Sequence, residues 1–238
     1  MNSQAEERGP DAKLEPNQTP DALPTVFLVD DDASFLTATS RLMRASGYQV
    51  RSFGSPTEFL KNLPPDTPGC AILDLQMPGM DGLELQEAIS KSNNPLPIII
   101  LTGQGDIPAT VRAMRRGAED FLTKRASKEQ LLGAVERALA RDARERASRR
   151  KRNELRDRFA ALTARECEVL SHVLSGQMNK EIAADLGLNE RSVKLHRTSI
   201  TSKLGVQSVA ELASLAQQAG LFENGQFLWP SKVPTALP

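Results

Sequence analysis

The chain has 238 residues, of which 39% are hydrophobic and 25% charged, and this composition excludes a wholly disordered chain because it can supply one or two cores. Its 30 basic and 30 acidic residues are unevenly divided, because residues 1–140 hold 14 basic and 19 acidic residues and residues 141–238 hold 16 basic and 11 acidic residues. The basic excess favours a polyanionic partner for the second part alone. Two cysteines are too few for a disulfide framework, and the lack of an apolar stretch of about 20 residues or of a basic, apolar leader predicts a cytoplasmic protein without a membrane span.

The first part of the chain predicts a disordered arm followed by an α/β domain. Residues 1–24 carry four prolines and almost no large apolar side chains, so burial cannot offset the entropy lost on ordering. In residues 25–140, five short apolar runs alternate with amphipathic segments, from VFLV at 26–29 to EDFL at 119–122. This alternation predicts a five-stranded, doubly wound parallel sheet between helices.

A charged segment follows the predicted sheet. Residues 141–158 hold nine basic and four acidic residues, with Leu155 as the one large apolar side chain. Such a segment can be helical but has no apolar face to bury. We therefore predict a long, charged linker helix over residues 141–160 that continues from the fifth helix of the α/β domain.

The remainder predicts a small all-α domain and a loose end. Residues 161–222 contain four helix-length segments that glycines separate. Polar residues that favour the N-cap position precede three of them, namely Thr163, Asn179 and Asn189. Residues 223–238 carry three prolines, which predicts a loose C-terminal tail.

Polar side chains follow the strands of the predicted sheet. The first strand ends in Asp30, Asp31 and Asp32, the third in Asp74, the fourth in Thr102 and the fifth in Lys124. The carboxyl ends of parallel strands line the functional crevice of such a sheet, so these groups are expected to converge. Clustered carboxylates repel one another unless a hard divalent cation neutralises them, and oxygen ligands suit Mg²⁺. Asp74 is then placed to attack a phosphoryl donor while Mg²⁺ and Lys124 neutralise the phosphate oxygens.

Residues 179–204 have the pattern of a helix-turn-helix, with a short helix, a turn through Gly187 and a longer helix. In the longer helix Val193, Ile200 and Leu204 recur on one stripe, which predicts its buried side. The opposite face carries basic, small and hydroxylic groups that suit a DNA major groove. Its members are Arg191, Lys194, Leu195, Thr198 and Ser202. Two cations that flank the stripe are candidate phosphate contacts, Arg197 and Lys203.

The segments FLVDDD, ILDLQMPGMDG, ILTGQGD and DFLTK resemble the receiver domain of bacterial two-component response regulators, nearest to the FixJ-type branch, over residues 25–140. The resemblance implies the flavodoxin-like receiver fold. It also implies that Asp74 accepts a phosphoryl group from the histidine of a sensor kinase. The implied Mg²⁺ ligands are Asp30, Asp31, Asp74 and the backbone carbonyl of Gln76.

The resemblance assigns roles at the other two strand ends. Lys124 would contact the phosphoryl oxygens and Thr102 would hydrogen-bond to them, with Phe121 as the aromatic switch residue that repacks with Thr102. One position departs from the receiver pattern, since Arg125 follows the lysine where these domains usually have proline after a cis peptide bond. A cis bond before a non-proline residue costs about 2.5–4 kcal/mol, so we expect a trans bond here.

The segments LTARECEVL, NKEIAADLG, SVKLHRTSI and KLGV closely resemble the LuxR-type helix-turn-helix of the NarL/FixJ regulators, within residues 161–222. This resemblance implies that the helix at residues 190–204 enters DNA and that the last helix, VAELASLAQQAG, pairs with its copy. The implied partners are DNA, a sensor histidine kinase and, after phosphorylation, a second copy of the chain.

Two other functions remain open on the sequence. A Mg²⁺-assisted aspartate nucleophile also serves phosphohydrolases of the haloacid-dehalogenase type, but these carry a second aspartate two residues later, where this chain has Gln76. We therefore expect no enzymatic turnover beyond phosphorylation and slow dephosphorylation of Asp74 itself. The substitution at Arg125 also leaves open a constitutive DNA-binding module whose receiver domain serves only as a protein interface.

Overall fold

The computed structural model describes residues 23–103, 107–223 and 226–227. The predicted disordered arm at residues 1–24 lies outside the described residues except for residues 23 and 24. The predicted tail at residues 223–238 lies outside them except for residues 223, 226 and 227. Across the described residues, no helix combines the length and the apolar character that crossing a membrane requires.

The first compact unit, residues 1–143, is built on the predicted five-stranded sheet. Its strands are β1 (Thr25–Val29), β2 (Gln49–Phe53), β3 (Gly69–Asp74), β4 (Ile98–Thr102) and β5 (Asp120–Thr123). All four pairings are parallel, and the strand order is β2-β1-β3-β4-β5. The winding direction therefore reverses between β1 and β3, and open α/β sheets bind ligands beyond the carboxyl ends of strands at such a switch point.

Helices cover both faces of this sheet, which confirms the doubly wound prediction. They are α1 (Ala33–Ala45), α2 (Pro56–Asn62), α3 (Gly82–Ser90), α4 (Ile107–Arg115) and α5 (Lys128–Ala160). Successive strand side chains point to opposite faces, so Phe27 and Val29 pack with α2, α3 and α4, whereas Val26 and Leu28 pack with α1 and α5. Each such side chain contributes about 1.5–3 kcal/mol on full burial, and the strand register is therefore strongly specified.

The second compact unit, residues 144–238, is mainly helical, as predicted. Its helices after α5 are α6 (Ala164–Leu174), α7 (Asn179–Asp185), α8 (Glu190–Leu204) and α9 (Val209–Gln218). A short antiparallel pair of strands follows, β6 (Phe222–Glu223) and β7 (Gln226–Phe227). Phe222 and Phe227 pack edge to face, with ring centroids 5.6 Å apart, against the helical core. The first residues of the predicted loose tail are therefore part of this unit.

Two of the three predicted N-caps in this unit are confirmed. Thr163 and Asn189 each accept a hydrogen bond from the backbone N–H three residues further on. The third prediction is wrong, because Asn179 is the first residue of α7 and Met178 is its N-cap. The Asn179 side chain instead accepts a hydrogen bond from Arg197, a partner that its sequence neighbours do not reveal.

The predicted linker at residues 141–160 forms the C-terminal part of α5. It carries buried side chains near both of its ends. At its start, Asp142 is 2% exposed, and its Oδ2 accepts a hydrogen bond from the backbone N–H of Gly69 at 2.8 Å. Near its end, Leu155 and Phe159 belong to the core of the helical unit. The expectation of a helix with nothing to bury is therefore wrong at these positions, since their partners are distant in the sequence.

Candidate metal centre and nucleic-acid interface

An acidic cluster lies at the switch point of the sheet. β1 and β3 pair in register up to Val29 and Leu73, so the residues that follow, Asp30 and Asp74, meet at the carboxyl edge. Together with Asp31, they bring carboxylate oxygens within 4.8 Å of one another. Asp30 and Asp74 are 2% and 5% exposed, whereas Asp31 is open to solvent. Two buried carboxylates and one exposed carboxylate therefore lie together at the carboxyl edge of the sheet.

Lys124 supplies a cation to this cluster. It directly follows β5, and its backbone N–H donates to the carbonyl of Thr102 at 2.7 Å, which brings the lysine to the same edge. Its Nζ lies 2.7 Å from Asp30 Oδ2 and 3.2 Å from Asp74 Oδ2. Burial by itself lowers the pKa of Lys124, but hydrogen bonds to both carboxylates outweigh that effect and raise the pKa above its ordinary value. The lysine is therefore held protonated.

Lys124 compensates the negative charge of Asp74 only in part. Burial, followed by the charge of Asp30, raises the pKa of Asp74, and hydrogen bonds from Lys124 and from the backbone N–H of Gln76 only partly offset the rise. A carboxylate that is perturbed by desolvation and by specific charges at a cleft is a candidate functional group. Asp74 is thus an acid whose charge an added cation would stabilise.

The donor set fits a hard divalent cation. Three carboxylates against one ammonium leave a formal charge of −2, and oxygen ligands with one exposed member suit Mg²⁺, which keeps several of its waters. The fourth predicted ligand, the carbonyl of Gln76, lies in a loop that closes tightly at Gly82. A Cβ at Gly82 would lie 2.3 Å from the carbonyl oxygen of Asp74, so only glycine fits where this loop ends.

The other predicted residues of this edge are also placed by the structure. Thr102 ends β4 and is 1% exposed, and Phe121 on β5 is half-buried against the core beneath α2, α3 and α4. Asp32, whose direct role the receiver pattern leaves open, is the N-cap of α1. The peptide bond between Lys124 and Arg125 is trans, as expected. The sheet edge therefore brings together the acids and the lysine that the sequence predicts there.

In the helical unit, α8 presents the predicted exposed face. Its stripe of Val193, Ile200 and Leu204 is buried. The side opposite this stripe is exposed at Arg191, Lys194, Leu195, Thr198 and Ser202. The Thr198 hydroxyl donates to the Lys194 carbonyl at 3.1 Å, which satisfies its proton within the helix. Cations, a hydroxyl group and an apolar side chain thus share one solvent-facing surface.

The two predicted phosphate contacts have partners within the helical unit. Arg197 donates to Asn179 Oδ1 at 2.7 Å, and Lys203 Nζ lies 2.7 Å from Glu166 Oε2. Because Glu166 is 4% exposed, moving Lys203 to a DNA phosphate would leave a buried charge without its cation. These contacts give Arg197 and Lys203 a structural role within the unit, and their role as phosphate contacts stays a prediction.

Sequence reasoning missed Glu166. Its carboxylate accepts hydrogen bonds from the Thr163 backbone N–H, the Ser199 hydroxyl and the Lys203 ammonium. Burial by itself raises the pKa of Glu166, but these donors outweigh burial and lower the pKa to about 2. The spacing of Thr163 and Glu166 is that of a capping box, which could have indicated the first contact. The contacts to α8 have no local signal.

Comparisons with known proteins agree with both halves of this description. The family model of the response regulator receiver domain matches residues 26–136, and that of the bacterial regulatory proteins of the luxR family matches residues 160–216. The first match covers the sheet with its acidic edge, and the second covers α6 to α8 and most of α9.

Relatives match across both units. Nodulation protein W of Bradyrhizobium diazoefficiens is 41% identical over 199 residues, which cover 84% of this chain and 88% of that protein. The transcriptional regulatory protein FixJ of the same species is 33% identical over 199 residues, which cover 84% of this chain and 97% of that protein. The solved structure of the response regulator StyR is 43% identical with a TM-score of 0.72, and the match covers 83% of this chain and 100% of that one.

Proposed function

Because this chain belongs to the bacterial response regulators that join a receiver domain to a LuxR-type DNA-binding domain, we propose that its Asp74 accepts a phosphoryl group from the histidine of a sensor kinase. The chain is a DNA-binding response regulator of a two-component system. The observation that supports Asp74 as the acceptor is its position at the switch point of the sheet, beside Asp30 and Lys124.

In the proposed transfer, a carboxylate oxygen of Asp74 attacks the phosphorus atom. The bond from phosphorus to the kinase histidine breaks, and its electron pair returns to the nitrogen, so that an acyl phosphate forms and the histidine is released. Asp30, Asp31, Asp74 and the carbonyl of Gln76 would hold a Mg²⁺ ion, which supplies positive charge to the phosphoryl oxygens. Lys124 lies 3.2 Å from Asp74 Oδ2, which supports its proposed contact with one of those oxygens as negative charge develops.

The phosphoryl group is then proposed to act through Thr102 and Phe121. Thr102 ends the neighbouring strand β4, and its hydroxyl would hydrogen-bond to a phosphoryl group on Asp74. Phe121 repacks with Thr102, which changes the surface around α4 and β5. Two copies that pair after this change bring two DNA-binding domains together, and the effective concentration of the second domain raises DNA affinity.

The exposed face of α8 is proposed to read DNA in the major groove. Lys194 can donate to guanine acceptors, and Leu195 and Thr198 can contact thymine methyl groups, with Arg191 at the beginning of the helix nearby. The basic excess of residues 141–238 suits a polyanionic partner. We further propose that the protein acts in the cytoplasm, because its DNA target lies there.

Asp74→Asn tests the acceptor because it removes the carboxylate while keeping the size of the side chain. With Mg²⁺ and acetyl phosphate, the wild-type protein should gain a phosphoryl group, sediment as a dimer and bind its DNA site about 10²-fold more tightly or more. The variant should show none of these three changes. The measurements are mass spectrometry, sedimentation with and without a phosphate-mimicking metal fluoride, and DNA titration.

Asp81→Asn is the matched control for this experiment. Asp81 is an exposed aspartate in the same loop that caps α3 by accepting from the Glu84 N–H at 2.7 Å, and asparagine caps equally well. Its variant should respond like the wild type. An Asp74→Asn protein that still dimerises and gains DNA affinity contradicts the proposal. A mass gain without any change in DNA binding favours a constitutive DNA-binding module, and steady hydrolysis of small phosphoesters favours a phosphohydrolase.

A further inference from the structure

An aromatic ring lies against the ammonium group of Lys124. Its Nζ is 4.8 Å from the centroid of the Phe35 ring, in the first turn of α1. The same ammonium lies 2.7 Å from Asp30 Oδ2 and 3.2 Å from Asp74 Oδ2. The cation is therefore held between two carboxylates and the ring.

Hydrogen bonds hold the backbone that carries this ring next to the acidic cluster. Asp32 Oδ1 accepts hydrogen bonds from the N–H groups of Ser34 at 2.8 Å and of Phe35 at 3.1 Å. The N–H of Asp32 in turn donates to Asp30 Oδ1 at 2.9 Å. Phe35 also lines a cleft whose walls include Asp30 and Asp74. Hydrogen bonds through Asp32 thus connect the backbone of Phe35 to the carboxylate that Lys124 contacts.

The ring limits where the ammonium can go. A lysine side chain is flexible and samples many positions unless its charged end is held. The face of an aromatic ring attracts a cation within about 6 Å of its centroid, and more strongly where water is excluded. The side chain of Lys124 is 21% exposed and Phe35 is half-buried, so the attraction acts in a partly desolvated place. A cation that is already in position stabilises developing negative charge without reorganising during the reaction.

We propose that Phe35 is a positioning residue that holds the ammonium of Lys124 at Asp30 and Asp74 and thereby accelerates both phosphorylation and dephosphorylation of Asp74. This role rests on the proposed function of Asp74. In phosphorylation, an Asp74 oxygen bonds to phosphorus as the bond to the donor breaks. In dephosphorylation, a water oxygen bonds to phosphorus as the Asp74–phosphorus bond breaks, releasing inorganic phosphate and a proton. Both transition states place negative charge on phosphoryl oxygens within reach of Lys124.

Phe35→Leu tests the role because leucine keeps apolar bulk but has no π face. We expect the rate constants for phosphorylation by acetyl phosphate and for loss of the phosphoryl group to fall by about 2- to 30-fold, which corresponds to an attraction of ~0.5–2 kcal/mol. Phe35→Tyr keeps the ring face and should recover most of both rates. Thermal unfolding of each variant shows whether it is folded at the assay temperature.

Tyr48→Leu is the matched control. Tyr48 is a half-buried aromatic residue that packs against the same core as Phe35, but it directly precedes β2 and so lies at the amino edge of the sheet, opposite Lys124. Loss of an aromatic ring at this position should leave both rate constants unchanged. Equal slowing in Tyr48→Leu and Phe35→Leu would overturn the proposal, because it would show a general loosening of α1 and its surroundings.

A spectroscopic readout reports the contact itself. Protons of the Lys124 side chain that lie over a ring face resonate upfield because of the ring current, so we expect such a shift in the wild type and in Phe35→Tyr. The shift should disappear in Phe35→Leu. Its absence from the wild-type spectrum overturns the proposal without reference to any variant.

The outcomes separate this inference from the function on which it depends. If the wild-type protein takes no phosphoryl group on Asp74, the proposed function itself fails. If the wild type is phosphorylated normally and folded Phe35→Leu has the same two rate constants, the acceptor role of Asp74 stands and the role of Phe35 is overturned.

Discussion

Glu166 and Asp74 are both buried carboxylates, yet their pKa values move in opposite directions. Burial by itself raises the pKa of Glu166, but three hydrogen-bond donors lower it to about 2. Burial and then the charge of Asp30 raise the pKa of Asp74, and its hydrogen bonds offset only part of the rise. At the scale of the residue, this separates an acid whose charge the fold already compensates from one whose charge an added cation can still compensate.

The lowered pKa of Glu166 makes the stability of the helical unit sensitive to acid. This group has a pKa of 4.5 without the fold and of about 2 within it, so its stabilising contribution is fully present above about pH 5 and is lost as the pH falls towards 2. Glu166→Gln should remove this part of the pH dependence and lower the free energy of unfolding at pH 7 by about 2–4 kcal/mol. Hydrogen exchange of the α6 and α8 amides as a function of pH measures both effects.

Glu168→Gln on the same helix is the control for this prediction. Glu168 pairs with Arg165 at 2.5 Å, and the two side chains are 30% and 37% exposed, so its removal should cost less than about 1 kcal/mol. A Glu166→Gln protein that keeps the acid sensitivity of the wild type would show that Glu166 is not the group responsible.

At the scale of the element, α8 shows how far periodicity predicts a helix. The spacing of Val193, Ile200 and Leu204 predicts its buried stripe, and Asn189 predicts its beginning. The contacts at the edges of the stripe are not predicted by this spacing. Lys203 points to a buried acid on α6, and its position on the helix wheel contains no information about that neighbouring helix.

Leu195→Ala tests the exposed face of α8. Because Leu195 is 65% exposed, its truncation should leave the melting temperature of the helical unit unchanged. Loss of apolar contacts to base edges should weaken binding to the specific DNA site by about 1–3 kcal/mol, or roughly 5- to 150-fold. The dependence of affinity on salt should stay the same, because no phosphate contact is removed. DNA titrations at several salt concentrations measure both quantities.

Leu23→Ala is the matched control, since Leu23 is 67% exposed and lies in the other unit, before β1. It should bind DNA like the wild type. Wild-type affinity and specificity in Leu195→Ala would show that α8 does not read bases through this side chain.

At the scale of the whole molecule, α5 contributes to both compact units. Its Asp142 is hydrogen-bonded to Gly69 within the first unit, and its Leu155 and Phe159 belong to the core of the second. Charge composition identifies the segment between them as a solvated helix but does not identify its ends. The core of the DNA-binding unit therefore begins before the first helix that resembles the LuxR-type domain.

Fragments of the chain test where this unit begins. Residues 144–238 retain Leu155 and Phe159 and should unfold cooperatively. Residues 161–238 lack both, and removing a buried leucine or phenylalanine side chain costs about 2–5 kcal/mol of a total stability of about 5–15 kcal/mol. The shorter fragment should therefore be far less stable in urea unfolding followed by circular dichroism. A fragment of residues 150–238, which keeps both side chains, should match the longest one, and equal stability of all three contradicts the prediction.

The sequence by itself determined the elements and the kind of chemistry at the sheet edge. Apolar runs that alternate with helical periodicity indicate the strands and helices, and the direction of the chain puts the residue that follows each parallel strand at one edge. The sequence alone therefore assigns four residues to one edge of the sheet, namely Asp30, Asp74, Thr102 and Lys124. Family resemblance then supplied the expected role of each.

Only the tertiary structure decided which groups touch. The strand order places β1 beside β3, which sets Asp30 next to Asp74, and the packing of α1 brings Phe35 to Lys124. In the helical unit, the packing of α8 against α6 likewise brings Lys203 into an ion pair with Glu166. Periodicity reports how a residue is oriented within its own element, whereas these partners lie on different elements, and their distances follow from how the two cores are filled.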